Sequence, residues 1–131
     1  MMRSTLIGAF ALMALTTTAA RAEDGDPAAG EKVFTQCKAC HQIGETAKNA
    51  VGPELNGLFG RHSGSVAGYN YSDANKNSGI TWDETVFREY IKAPRTKIPG
   101  TKMTFVGLKD DQKITDLIAF LKQYDADGKK K

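Results

Sequence analysis

The sequence predicts an all-α protein of three main helices, with short helices and long loops wrapped around something other than protein. Apolar residues recur at helical spacing in three segments, no segment alternates as a β-strand would, and residues 42–70 show no sustained period. A structureless loop of that length is uncommon inside a compact domain. We therefore expect a non-protein group to fill the centre of the molecule.

The first 22 residues have the features of a removed export signal. Arg3 precedes an apolar run over residues 6–15, and Ala20-Arg21-Ala22 has the A-x-A pattern that a signal peptidase cleaves after. The run is about half as long as the roughly 20 apolar residues that a membrane-spanning helix needs. We expect a cleaved signal peptide (1–22), a mature periplasmic domain (23–131), and no stable membrane insertion.

The first and last main helices are predicted from a start signal and an apolar stripe. Asp26 followed by Pro27 is an N-cap acid before a proline at the first helical position, and it predicts a helix over 27–39. An apolar stripe over 110–124 predicts the last helix.

Two more helices are predicted between these. Residues 72–78 can form a short helix that Gly79 closes. Thr81 and Glu84 match a capping box, which predicts a helix that begins there and stops before Pro94.

The motif Cys37-Lys38-Ala39-Cys40-His41 predicts what fills the centre. Two thiols three positions apart can each add to a vinyl group of one porphyrin, and the adjacent His41 can then bind the iron. The alternatives are a disulfide or a thiol redox pair, neither of which accounts for His41. A zinc site would need four protein ligands, and His62 does not sit at a zinc-finger spacing.

The second axial position of a haem iron decides whether the site is closed or open to small molecules. The candidates are Met103, which is the only methionine after cleavage, and His62. Met103 follows a Pro-Gly turn that can aim its side chain at the iron, whereas polar and flexible residues flank His62. Lone methionines more often pack in a core. A polar loop is a poor place for core packing, so we favour Met103 as a ligand.

The mature chain resembles the class I cytochromes c, close to the mitochondrial protein and the bacterial cytochrome c2 group. The resemblance runs from Gly30 to Ala119 and is carried by the haem motif and by the following segments: Gly52-Pro53, Leu58-Phe59-Gly60-Arg61, residues 71–77, residues 79–82, the Met103 loop and residues 116–119. It implies the small cytochrome c fold around one covalent haem c, bound through Cys37 and Cys40 and ligated by His41 and Met103.

The resemblance also implies roles for several polar residues. The carbonyl of Pro53 should accept the ring N–H of His41. Three side chains should surround the buried haem propionates: Arg61, Tyr71 and Trp82. Three others should form a polar network near Met103: Asn75, Tyr90 and Thr101. Without the resemblance, the two aromatic residues Trp82 and Tyr90 would be assigned to the core and Arg61 to a solvated loop.

Two positions depart from the mitochondrial pattern. The step from Phe34 to Cys37 is one residue shorter, which leaves the pairing of the first helix open. Lys97 replaces an aromatic residue, which affects the packing under the methionine loop.

A haem closed by histidine and methionine predicts a single-electron carrier and not an enzyme, because a peroxidase or gas-binding site needs an open position. A permanently bound oxidase subunit would need an apolar patch or an anchor. The resemblance implies a monomer that shuttles electrons from a cytochrome bc1 complex to a photosynthetic reaction centre or a terminal oxidase. The mature chain has almost no net charge, and we expect no nucleic-acid partner. Lysines near the haem edge should steer docking to acidic surfaces: Lys32, Lys38, Lys48, Lys97, Lys102 and Lys109.

Overall fold

The computed structural model describes residues 24–131, so the predicted signal peptide lies outside the described residues. This part of the chain contains five α-helices and one 3-10 turn: α1 (Pro27–Phe34), the 3-10 turn (Thr35–Cys37), α2 (Asp73–Lys76), α3 (Glu84–Lys92), α4 (Pro94–Lys97) and α5 (Asp111–Leu121). Extended pairing over residues 24–131 is limited to two isolated bridges, His62 with Thr81 and Tyr124 with Lys130. The all-α prediction is confirmed.

Acidic or hydroxyl side chains cap the starts of four helices. Asp26, Ser72, Asp83 and Asp110 each accept a backbone N–H from the first turn of the helix that follows. The capping box predicted at Thr81 is wrong. Asp83 caps α3 instead, because the backbone around Thr81 is extended and pairs with the loop at His62.

The first helix is shorter than predicted. Its α-helical part ends at Phe34, and the 3-10 turn carries the chain on to Cys37. A 3-10 turn completes a full rotation in three residues. This tighter turn accommodates the short step between Phe34 and Cys37.

Helices α1 and α5 cross and form the main packing contact. A Cβ atom on Gly30 would overlap the backbone of Asp116, so glycine permits the close approach of the two helices. Phe34 and Phe120 stack nearby with ring centroids 5.2 Å apart. The buried carboxylate of Asp116 accepts the backbone N–H of Asp26 at 2.8 Å, which ties α5 to the start of α1. The short step before Cys37 therefore leaves this pairing intact.

Pro94 ends one helix and begins another. Ala93 takes φ −154° and ψ 76°, outside the α region, and α3 therefore ends at Lys92. Pro94 then occupies the first position of α4, a helix that the sequence did not predict. Ile98, just after α4, is buried and supports the loop that carries Met103.

The loop that follows the Cys-X-X-Cys-His motif folds back onto it through backbone hydrogen bonds. The N–H of Gly52 donates to the carbonyl of Cys40 at 2.8 Å, and the N–H of Leu55 donates to that of Gln42 at 3.0 Å. The side-chain amide of Asn56 forms two hydrogen bonds with Gly44: its oxygen accepts the Gly44 N–H, and its nitrogen donates to the Gly44 carbonyl. These bonds give a long segment without regular structure a fixed path around the centre.

The C-terminal residues form an ordered hairpin beyond α5, which also ends earlier than predicted. Asp125 accepts the backbone N–H groups of Asp127 and Lys129. Gly128, at φ +78°, packs so tightly against Gly44 that a Cβ atom there would overlap its carbonyl. The hairpin therefore braces the loop that follows the motif. No helix in residues 24–131 is long and apolar enough to cross a membrane.

Candidate cofactor site

A cavity of about 270 Å³ lies between the Cys-X-X-Cys-His segment and the loop of Met103. Close-packed cores leave few voids larger than a water molecule, so a space of this size indicates a place for a group other than protein. Every predicted site residue lines the cavity: Cys37, Cys40, His41, Pro53, Arg61, Tyr71, Asn75, Trp82, Tyr90, Thr101 and Met103.

His41 is held in one orientation on one wall of the cavity. Its Nδ1–H donates to the carbonyl of Pro53 at 2.7 Å. A Cβ atom on Gly52 would overlap the imidazole ring, so glycine leaves the ring its place. Burial lowers the pKa of His41, against the opposing effect of the Pro53 bond, and so favours the neutral ring at neutral pH. The Nε2 lone pair is then available to a metal.

The two cysteines lie on the same side as His41 and are not joined as a disulfide. The N–H groups of Cys40 and His41 both donate to the carbonyl of Cys37, which makes the motif one compact turn. Burial and the neighbouring Cys40 raise the pKa of Cys37 to about 11. Thiol redox pairs work with a lowered pKa, because the thiolate is the nucleophile. This environment argues against the thiol redox alternative.

Met103 lies on the wall formed by the loop after α4. The hydroxyl of Tyr90 donates to its sulfur at 3.2 Å and lies 3.3 Å from the hydroxyl of Thr101. Met103 also packs against the edge of the apolar core, so its environment is less polar than the sequence indicated. Asn75, the third predicted member of this network, accepts a hydrogen bond from Ser72 at 2.9 Å and lines the same cavity.

His62, the competing ligand, lies at the exposed rim of the cavity. Its Nδ1 is 2.9 Å from the hydroxyl of Thr81. Within residues 24–131 there is no group of three or more His, Cys, Asp or Glu side chains that could hold a metal ion.

One end of the cavity carries hydrogen-bond donors that suit an anionic group. The buried hydroxyl of Ser63 has no hydrogen-bond partner among residues 24–131. Tyr71 accepts the N–H of Val66 at 3.1 Å, which leaves its own proton to donate, and burial raises its pKa. Trp82, on the same cavity, is buried and packs edge-on against Tyr90 with centroids 5.0 Å apart.

Arg61 adds a positive charge to this end, but the protein already holds it. Its guanidinium donates to the carbonyls of Asn56 at 3.0 Å and Glu54 at 3.1 Å, and Nη1 lies 3.6 Å from the Glu54 carboxylate. Burial lowers the pKa of Arg61, whereas Tyr71 and Glu54 act in the opposite direction.

Sequence reasoning missed Ser63, which lines the cavity, and Glu54, which lies outside the cavity but contacts the lining residue Arg61. Ser63 lies in a Gly- and Ser-rich loop, where a serine carries no distinctive signal. Glu54 directly follows Pro53, and nothing in the sequence spacing indicates that the loop places Arg61 beside Glu54. Only the folded loop brings Glu54 and Arg61 together.

The predicted docking lysines differ in how they are held. Lys97 pairs with Glu89 at 2.5 Å, so a neighbouring acid offsets its charge. Lys102 donates to the carbonyl of Asn70 at 2.9 Å, and Lys109 donates to that of Lys92. Lys32, Lys38 and Lys48 are exposed.

These residues fit a covalently attached haem. Two thiols and a neutral imidazole lie on one wall, a thioether lies on the wall of the Met103 loop, and the Ser63 hydroxyl, unpaired within residues 24–131, would suit a haem carboxylate as its donor.

Comparison with known proteins agrees with this fit. The family model described as cytochrome c matches residues 27–125. The chain is 64% identical to cytochrome c2 of Blastochloris viridis over 122 residues, which cover 93% of this chain and 96% of that protein. It is 62% identical to cytochrome c-550 of Nitrobacter winogradskyi over 107 residues, covering 82% and 98% of the two chains. The solved structure of cytochrome cH from Methylobacterium extorquens superposes with a TM-score of 0.72 at 49% identity, covering 76% of this chain and 99% of the other.

The Ser63 hydroxyl can be tested by its effect on the stability of the haem-loaded protein. We expect the Ser63 hydroxyl to donate to a haem carboxylate, so Ser63→Ala should lower the free energy of unfolding of the haem-loaded protein by about 1–2 kcal/mol, because the carboxylate loses its donor. A neutral or stabilising effect of the same change would contradict this role. Denaturant unfolding measures the difference. Ser65→Ala is the control, because the Ser65 hydroxyl is exposed and bonds only to the carbonyl of His62; it should have little effect.

Proposed function

The chain belongs to the cytochrome c family and is an electron-transfer protein with one covalently bound haem c; on that premise we propose that it is a periplasmic single-electron shuttle with a haem closed by His41 and Met103. One observation carries the closed site. The Pro53 carbonyl orients the His41 ring, the Tyr90 hydroxyl orients the Met103 sulfur, and both residues line the same cavity.

The haem supplies a one-electron couple between ferric and ferrous iron. The residues of this chain orient the two proposed iron ligands. Pro53 fixes the tautomer of His41, which leaves Nε2 as the ligand atom. Tyr90 and Thr101 restrict the position of the Met103 sulfur. A thioether ligand favours the ferrous state and raises the potential.

The wall residues keep the site rigid during electron transfer. Lys102 connects the Met103 loop to Asn70, which lies 32 residues earlier in the chain. The backbone bonds from Gly52 and Leu55 hold the loop on the His41 side. Because both sides are fixed, the ligand set should change little when an electron enters or leaves, as a fast carrier requires.

The electron partners that we propose are a cytochrome bc1 complex as donor and a photosynthetic reaction centre or terminal oxidase as acceptor. Support comes from similarity to a protein named cytochrome c2 and from the resemblance of the sequence to that group. The A-x-A pattern at residues 20–22 supports export to the periplasm.

Docking should rely on lysines around the methionine loop and the attachment motif. Lys38 and Lys48 are exposed and form no ion pair within residues 24–131. Lys97 should contribute less, because Glu89 offsets its charge. Exposed apolar side chains at Val51 and Val106 add short-range contact area near the same surface, since Val51 lines the cavity and Val106 follows the Met103 loop.

Replacing the proposed sulfur ligand tests the closed site. Ferric protein should show the weak red charge-transfer band of an iron–thioether bond, and Met103→Ala should abolish it. The variant should also have a lower midpoint potential and should bind added cyanide or carbon monoxide, because the position is then open. Optical titration measures all three properties.

His62→Ala is the control for this prediction and should change none of these properties. A spectrum in Met103→Ala that equals that of the parent protein, together with a lost ligand in His62→Ala, would contradict the assignment and would favour a bis-histidine haem.

Salt tests the docking surface. The rate of electron transfer with a purified bc1 complex should fall steeply with ionic strength, because the Debye length is about 10 Å at 0.1 M. Lys38→Glu should slow the reaction at low salt more than Lys130→Glu does. Lys130 serves as the control because its ammonium group lies over the Tyr124 ring in the C-terminal hairpin. Rates that do not depend on salt, or equal effects of the two variants, would rule out this docking surface.

A further inference from the structure

A carboxylate that the proposed function does not use lies directly behind Arg61. Glu54 has a side chain only 21% exposed, and that of Arg61 is 15% exposed. Arg61 lines both the cofactor cavity and a groove on the outer surface, whereas Glu54 lines the groove alone. The guanidinium therefore separates the Glu54 carboxylate from the cavity.

The fold fixes Glu54 in this position. One carboxylate oxygen accepts the backbone N–H of Asn56 at 2.6 Å, and the other lies 3.6 Å from Nη1 of Arg61. The backbone N–H of Glu54 donates to the side chain of Asn49 at 3.0 Å. The carboxylate is thus held against the guanidinium, unlike the mobile partner of an exposed surface ion pair.

This pairing changes the charge that a group in the cavity experiences. Alone, Arg61 would place a full positive charge at the cavity wall, and that charge would favour the reduced state of the haem. With Glu54 beside it, the pair has no net charge. Because both side chains are largely buried, salt screens this effect less than it screens exposed charges.

We propose that Glu54 is a positioning residue that sets the reduction potential: its carboxylate neutralises Arg61 and thereby lowers the midpoint potential of the haem. The electron enters and leaves the iron with no bond made or broken at Glu54. The inference rests on the proposed function, because only a haem carrier makes use of a reduction potential. The change in charge at the cavity wall depends on Glu54 and Arg61 alone.

The test separates charge from structure. Glu54→Gln keeps an acceptor for Asn56 but removes the charge, and Glu54→Asn does the same with a shorter side chain, in case the first variant does not fold. Glu54→Asp keeps the charge. Glu31→Gln is the matched control, because Glu31 is exposed on α1 and forms no ion pair among the described residues.

Equilibrium redox titration of the haem-loaded, full-length protein provides the readout. Both neutral variants should raise the equilibrium constant for reduction several-fold, and the increase should persist at high ionic strength. Glu54→Asp should stay near the parent. Any shift in Glu31→Gln should be small and should vanish with added salt.

Two outcomes would overturn the proposal. One is a potential in the neutral variants equal to or below that of the parent. The other is a shift in Glu54→Asp as large as that in Glu54→Gln, because a purely structural role would then explain both. Failure of the carrier function is distinguishable, since it would appear in the spectrum and potential of the parent protein itself.

Discussion

The chain must build a stable fold around a central space that its own side chains do not fill. Helices α1 and α5 supply most of the packing, through the close approach at Gly30 and the stacked rings of Phe34 and Phe120. The rest of the chain forms walls around the cavity. A large apolar group between these walls contributes the dispersion contacts that a normal core obtains from its own residues. Local contacts therefore stabilise long loops that have no regular structure. Examples are the two hydrogen bonds between Asn56 and Gly44 and the packing of the C-terminal hairpin against Gly44.

The polar groups of the site divide into two sets with different tasks. Around the metal position, Pro53 and Tyr90 each hold one proposed ligand by a single hydrogen bond, and both bonds act on orientation. Elsewhere on the cavity wall, Ser63 and Tyr71 carry hydroxyl protons that suit an anionic group, and Arg61 lies beside the carboxylate of Glu54, to which we assign an effect on the local charge. Ligand identity and the polar surroundings of the haem are two of the means by which a protein adjusts its potential.

Helix starts and the cofactor motif could be predicted from the sequence because they depend on local patterns. Contacts between residues brought together by irregular loops could not. Asp26 with Pro27 located the start of α1, and the Cys-X-X-Cys-His motif identified the cofactor. The capping box at Thr81 failed because a distant segment, at His62, pairs with that backbone. The contact between Glu54 and Arg61 could not be predicted, since it depends on the path of an irregular loop.

Covalent attachment of the haem to an exported polypeptide through Cys37 and Cys40 is the condition on which the carrier function depends. The most direct measurement is the intact mass of the protein from a periplasmic extract after acid-acetone extraction, which removes haem that is not covalently bound. We expect a polypeptide that begins at Glu23 and retains one haem on two thioether bonds. A mass equal to that of the bare polypeptide, or a chain that still begins at Met1, would contradict it.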